Sequence, residues 1–189
     1  RQMIIWGSVH NNTGAIFDPA TNSWQTMSAQ GAPTFSGDSG SAWTGTEMAV
    51  CGSISNAPAG ALYNPSTDSW RPMASLGGFT GGANRGMVWT GDRLFIWTAI
   101  YTNTSTQRGL LYDPVEDSWQ FVSSEYAPQY LSGSTATLVG SQIFIWGGKD
   151  ASTYSRHGYL YDPVANRWFD AGDNAPFDPR AWHSAVSTP

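Results

Sequence analysis

One phrase recurs four times and governs what this chain can become: an apolar run ending in a small residue, an aromatic-Asp-Pro turn, then a Trp. The turns are Phe17-Asp18-Pro19, Tyr63-Asn64-Pro65, Tyr112-Asp113-Pro114 and Tyr161-Asp162-Pro163. Five residues after each Pro stand Trp24, Trp70, Trp119 and Trp168, and both Pro and Trp recur at spacings of 46, 49 and 49 residues. A fixed period of about 50 residues marks units that cannot bury their apolar faces alone and must stack. A Trp at one position of every unit is a packing signature, so all four are expected in the core. Loss of one such buried ring should cost about 3–5 kcal/mol.

The apolar runs are Met3-Ile4-Ile5-Trp6, Met48-Ala49-Val50-Cys51, Leu94-Phe95-Ile96-Trp97 and Ile143-Phe144-Ile145-Trp146. Near-continuous runs of β-formers predict strands buried on both faces. Ser41–Thr44, Gly86–Thr90 and Thr135–Val139 precede three of them, joined by tight turns at Gly45, Gly91 and Gly140. The aromatic of the turn closes a third strand and the repeat Trp opens a fourth. Each unit therefore reads as a four-stranded antiparallel sheet. An Asp or Asn ahead of Pro accepts hydrogen bonds from its own turn, which gives Asp18, Asn64, Asp113 and Asp162 a structural role.

Composition narrows the function. Charged residues are 12% of the chain and aromatics 14%, with ten Trp. The net charge is −5 and Lys149 is the only lysine, so no cationic run exists to grip a phosphate backbone. No apolar stretch approaches the roughly 20 residues of a membrane-spanning helix. Cys51 is alone, which excludes an internal disulfide. Scarce Lys among abundant Ser, Thr, Asn, Gly and Trp favours an extracellular or periplasmic location. The sequons at Asn11 and Asn103 matter only in a eukaryotic secretory pathway.

The Gly-ended apolar strand, the Tyr-Asp-Pro turn and the spaced Trp resemble the kelch repeat. The Trp-Thr-Gly hairpins and Ala-Pro linkers (Ala32-Pro33, Ala127-Pro128, Ala175-Pro176) are similar to the bacterial kelch-like type. The chain departs from that pattern in its double glycine, which occurs as Gly147-Gly148 and is Gly7-Ser8, Gly52-Ser53 and Thr98-Ala99 elsewhere. The resemblance implies an all-β propeller of four-stranded antiparallel blades. The units span about 1–38, 39–84, 85–133 and 134–180 of a single domain, 1–189, with 181–189 left as a first strand. That segment could close the ring by completing the first blade. A slice of a larger ring and pairing between chains are the other arrangements open to it.

Propeller loops sort by face. Turns within the strand 1–2 and 3–4 hairpins share one face with eight acids and three arginines, carrying the whole net charge of −5. The opposite, top face gathers loops between strands 2 and 3 and between blades. Arg71 is expected there, and the binding candidates are Arg85, Arg108, Tyr154, Arg156 and Trp182, of the aromatic and Arg types that anchor protein interfaces. His10, His157 and His183 also map to the top, where three imidazoles could hold a transition metal. Their spacing forms no compact ligand motif, and ordinary surface histidines explain them.

Kelch resemblance carries enzymatic precedents, the copper-radical oxidases and sialic acid mutarotases. Cys51 stands where other units have Trp6, Trp97 and Trp146, a packing position unlike the crosslinked cysteine of the oxidases. No acid–base pair or nucleophile motif is evident, so no cofactor or catalytic residue is expected. The expected function is a non-catalytic interaction or scaffold module that binds a protein through its top loops. A carbohydrate-binding or mutarotase-like propeller is the alternative.

Overall fold

The computed structural model describes residues 1–7, 12–35, 39–54, 57–75, 80–81, 86–101, 106–128, 131–149 and 152–188. Among them every regular element is a strand, in four antiparallel sheets. The first sheet holds β1 (Met3–Trp6), β2 (Gly14–Asp18) and β3 (Ser23–Thr26). The second runs β4 (Gly40–Trp43), β5 (Met48–Ile54), β6 (Ala57–Asn64) and β7 (Ser69–Pro72). In the third, β8 (Thr80–Gly81) and β9 (Gly86–Trp89) both pair with β10 (Leu94–Tyr101), followed by β11 (Thr106–Asp113) and β12 (Ser118–Phe121). The fourth is β13 (Thr135–Val139), β14 (Gln142–Trp146), β15 (Gly158–Asp162) and β16 (Arg167–Gly172). The inner strands β4, β9 and β13 lie side by side. The sheets are therefore the blades of a propeller.

Local chemistry sets the hairpins. Thr44 and Thr90 each close a turn, taking the backbone N–H of Glu47 or Arg93 on the hydroxyl and donating it back to that residue's carbonyl. Gly45 and Gly91 sit in these turns at φ +105° and +109°, where a Cβ would be strained. In the 3–4 turns, Asp18, Asn64, Asp113 and Asp162 accept from the backbone N–H two residues on, as expected.

The core lies between blades, and the second strand of each middle blade, β5 and β10, serves two cores at once. Met48 and Val50 face the first blade, while Ala49 and Cys51 face the third. Leu94 and Ile96 face the second blade, while Phe95 and Trp97 face the fourth. Such strands bury both faces, which is why they read as unbroken apolar runs. Cys51 is a packing residue: its thiol lies 3.6 Å from Met73 Sδ and burial pushes its pKa far up.

Among the described residues, each outer blade packs against one neighbour. In β1, Ile4 and Trp6 pack toward the second blade, and Met3 and Ile5 stand 48% and 50% exposed. Residues 181–188 form no strand, and the hydrogen bonds seen for this stretch run to the fourth blade. The first sheet accordingly has three strands, β1–β2–β3.

Candidate functional site

The blades are joined by one repeated latch. Tyr63, Tyr112 and Tyr161 each donate their phenol to a residue five positions on, Asp68, Asp117 or Asn166. Those acceptors sit at φ 47°, 47° and 48°, the left-handed conformation that Asn and Asp tolerate best. The same side-chain oxygen takes a backbone N–H from the preceding blade: Ser28, Ala74 and Ser123. The repeat indoles of Trp70, Trp119 and Trp168 then donate to the carbonyls of those same residues at 2.7–2.8 Å. The Ser28 amide and the Tyr63 phenol hold Asp68 below the usual carboxylate range. The Tyr112 phenol and the Ala74 amide do the same for Asp117.

This latch corrects the expectation for the repeat tryptophans. Trp168 is buried, and Trp70 and Trp119 are half-buried. Trp24 is 56% exposed: among the described residues no blade lies against it on that side, and its indole meets no Ser28-type carbonyl. It stacks on Phe17, which also lacks the phenol of the other copies. Sequence reasoning missed Asp68, Asp117 and Asn166 as inter-blade acceptors, although their constant distance from the Tyr was readable.

The top of the fourth blade is the best-defined loop surface. Three segments are knitted there by backbone bonds: Ser132 exchanges two with Lys149, Gly148 donates to Arg180, Arg180 to Ser155 and Trp182 to Gly133. The double glycine makes this knitting possible. A Cβ on Gly147 would lie 2.7 Å from the Arg180 carbonyl oxygen, and one on Gly148 2.6 Å from Leu131 Cβ.

This scaffold brings Tyr154 and Trp182 edge to face, ring centroids 6.5 Å apart, at 43% and 57% exposure. Lys149 Nζ stands 4.8 Å over the Tyr154 ring, and Arg156 is exposed beside it in sequence. Arg180 stacks over Phe177 at 4.6 Å. Three sequence candidates, Tyr154, Arg156 and Trp182, are thus exposed on this blade. Arg108 falls in β11, paired with Ala99, but its side chain lies outside what is described, as does all of Arg85. Arg71 belongs with the opposite face, where its guanidinium grips both oxygens of Glu47.

The histidines have separate partners. His157 meets Asp170 at 2.7 Å, and Asp170 is held acidic by the Gly172 amide and by His157. His183 Nε2 bonds the Thr135 hydroxyl at 3.0 Å, its ring edge-on to Trp146. Burial, and secondarily Arg180, lowers its pKa. His10 lies outside the described residues, and among those described no three potential ligands gather around one point.

No curated protein matches the chain. Residues 131–173 match the Kelch motif family, a span covering β13 to β16 and the knitted loops between them. The second and third sheets share the strand core and the Tyr–Trp spacing of that fourth sheet, and the first keeps three of its strands with Phe17 for the Tyr, an all-β architecture consistent with a kelch-type propeller of blades.

Proposed function

We propose that this chain is a non-catalytic interaction module that binds a protein partner through the loop face of its fourth blade. The observation that carries the reading is the exposed Tyr154–Trp182 pair, with Lys149 over the Tyr154 ring and Arg156 exposed two residues on in the same loop, on a scaffold fixed by backbone bonds. Rigid aromatic rings and Arg supply most of the energy in protein interfaces because they desolvate large areas with little entropy loss. Kelch domains generally mediate protein interactions, which agrees with this use. The single lysine supports placing the module outside the cell or in the periplasm, and export of a tagged chain in intact cells tests that placement.

The functional test compares the full chain with the double variant Arg156→Ala/Trp182→Ala as affinity baits in source extracts. Both side chains are exposed, so the variant should keep its melting temperature within a few degrees. The proteins retained by the wild type should be lost from the variant. Undiminished capture would sink the assignment to this face. The same rings could stack on sugars, so a glycan array is run in parallel. Specific glycan binding that disappears in the variant would replace the protein partner with a carbohydrate.

A further inference from the structure

A bulky residue keeps a left-handed backbone only where something offsets the strain. Among the described residues, six that are not glycine have positive φ. Asn22, Asp68, Asp117 and Asn166 hold one position of the 3–4 turns and are of the types that tolerate this conformation. The other two, Tyr126 and Trp182, are exposed aromatics, both at φ 56°. Trp182 belongs to the fourth-blade face proposed above. Tyr126 is 81% exposed and lies apart from that pair, in the linker between the third and fourth blades. We infer that its turn, residues 124–127, is a second binding site, where Tyr126 and Glu125 take an Arg or Lys side chain of a partner protein.

The chain holds its own comparison. The linker after the first blade reads Ser28-Ala29-Gln30-Gly31-Ala32-Pro33, and the one after the third reads Ser123-Ser124-Glu125-Tyr126-Ala127-Pro128. Both fold alike. The Ser28 hydroxyl accepts the Gln30 N–H and the Ser123 hydroxyl the Glu125 N–H, each at 3.2 Å. Ala32 N–H closes one turn on the Ala29 carbonyl at 3.2 Å, and Ala127 N–H closes the other on the Ser124 carbonyl at 3.3 Å. The third residue of such a turn is left-handed, a place for Gly or Asn. Gly31 meets that demand at φ 78°, and Tyr126 does not. Among the described residues no ring, cation or hydrogen-bond partner meets the Tyr126 side chain, so the fold gains nothing from it. The turn itself is fixed, because Ser123 donates its N–H to Asn166 and accepts the Trp168 indole on its carbonyl.

The chemistry of the partner follows from what this turn lacks. Elsewhere the chain lays its own cation over an aromatic face: Lys149 on Tyr154 at 4.8 Å, Arg167 on Phe169 at 4.6 Å and Arg180 on Phe177 at 4.6 Å. Tyr126 has no such cation among the described residues, and Glu125 beside it is exposed and forms no ion pair among them. The arginines of this junction are engaged elsewhere, Arg93 with Gln120 and Asp113, and Arg167 with Phe169. A ring face and an unpaired carboxylate on successive residues suit a guanidinium or ammonium, which lies on the one and pairs with the other. A Tyr on a fixed turn loses little entropy when it is covered, which is what an interface anchor needs.

Selection of a phage-displayed random peptide library on the full chain tests the proposal. Peptides carrying Arg or Lys should be enriched. Made synthetically and titrated by calorimetry, they should lose at least roughly tenfold in affinity on Tyr126→Gly and on Glu125→Gln, and should weaken as salt rises. Tyr126→Phe should keep most of the affinity, because the ring face and not the phenol is used. Tyr126→Gly should also keep or raise the melting temperature, since glycine relieves the turn. A melting temperature lowered by several degrees would show that the ring holds the fold, and would overturn the site. A selection without any peptide that depends on Tyr126, or with dependent peptides that carry no cation, overturns it as well. The double variant Arg156→Ala/Trp182→Ala should retain these peptides. Peptides lost from that double variant and kept by Tyr126→Gly would leave the fourth-blade face standing and refute this second site.

Discussion

At the scale of single residues, the latch makes blade docking sensitive to acid at two junctions and insensitive at the third. Asp68 and Asp117 each accept a phenol O–H and a backbone N–H, bonds that favour the ionised carboxylate. Their folded pKa values lie below the ordinary one. A depressed carboxylate contributes stability that is complete above the unfolded value and is lost as pH falls through the folded value. The window therefore lies below about pH 4. Asn166 makes the same two bonds and does not titrate. Acidification should lower the exchange protection of the Ser28 and Ala74 amides before that of Ser123. Asp117→Asn should remove the pH dependence at Ala74 while leaving that at Ser28. Equal loss at all three amides would show that acid acts on the whole fold and not on these bonds. Removing an acceptor is harsher than changing its charge. Asp117→Ala leaves the Tyr112 phenol and the Ala74 amide unpaired and should cost about 1–3 kcal/mol in chemical denaturation.

At the scale of strands, alternation explains both what the sequence made readable and what it hid. The small-residue strands, the tight Gly hairpins and the apolar runs predicted the first and second strands of three blades, because local patterning alone decides pairing within a hairpin. The aromatic-Asp-Pro turns were readable for the same reason: Asp113 and Asp162 bond their own loops. The partner of a side chain on the next blade was not readable. Asp68 and Asp117 look like any turn residue until Ser28 and Ala74 come alongside from 40 and 43 residues away. Arg71 was misplaced likewise, since only the fold shows that it reaches Glu47 across the sheet. On the fourth blade, Tyr154 and Trp182 could be named as surface rings, but their pairing depends on the Gly133 and Lys149 bridges. Close packing between strands gives a further prediction. A Cβ on Gly60 would lie 2.5 Å from Met73 Sδ, 2.7 Å from Cys51 Sγ and 3.0 Å from the Val50 carbonyl oxygen. Gly60→Ala should therefore destabilise by about 1–3 kcal/mol as an overpacked core site, where Gly→Ala at an open site would stabilise. A neutral or raised melting temperature would mean that Met73 moves aside freely.

At the scale of the whole molecule, the described blades pack against their neighbours in the array, so the value of a residue depends on its position there as much as on its type. Trp24 and Trp168 illustrate this, because the sequence presents them as equivalents. Trp168 is 5% exposed, packs against Trp97 and Tyr161, and donates its indole to Ser123. Trp24 is 56% exposed and stacks on Phe17 of its own blade. Trp168→Ala should lower the unfolding free energy by about 3–5 kcal/mol through lost transfer energy and the cavity left behind. Trp24→Ala should lower it by less than about 1 kcal/mol, the range of an exposed site. Equal costs for the two substitutions would mean that the face bearing Trp24 is covered in solution, and its position in the array would then not set its value.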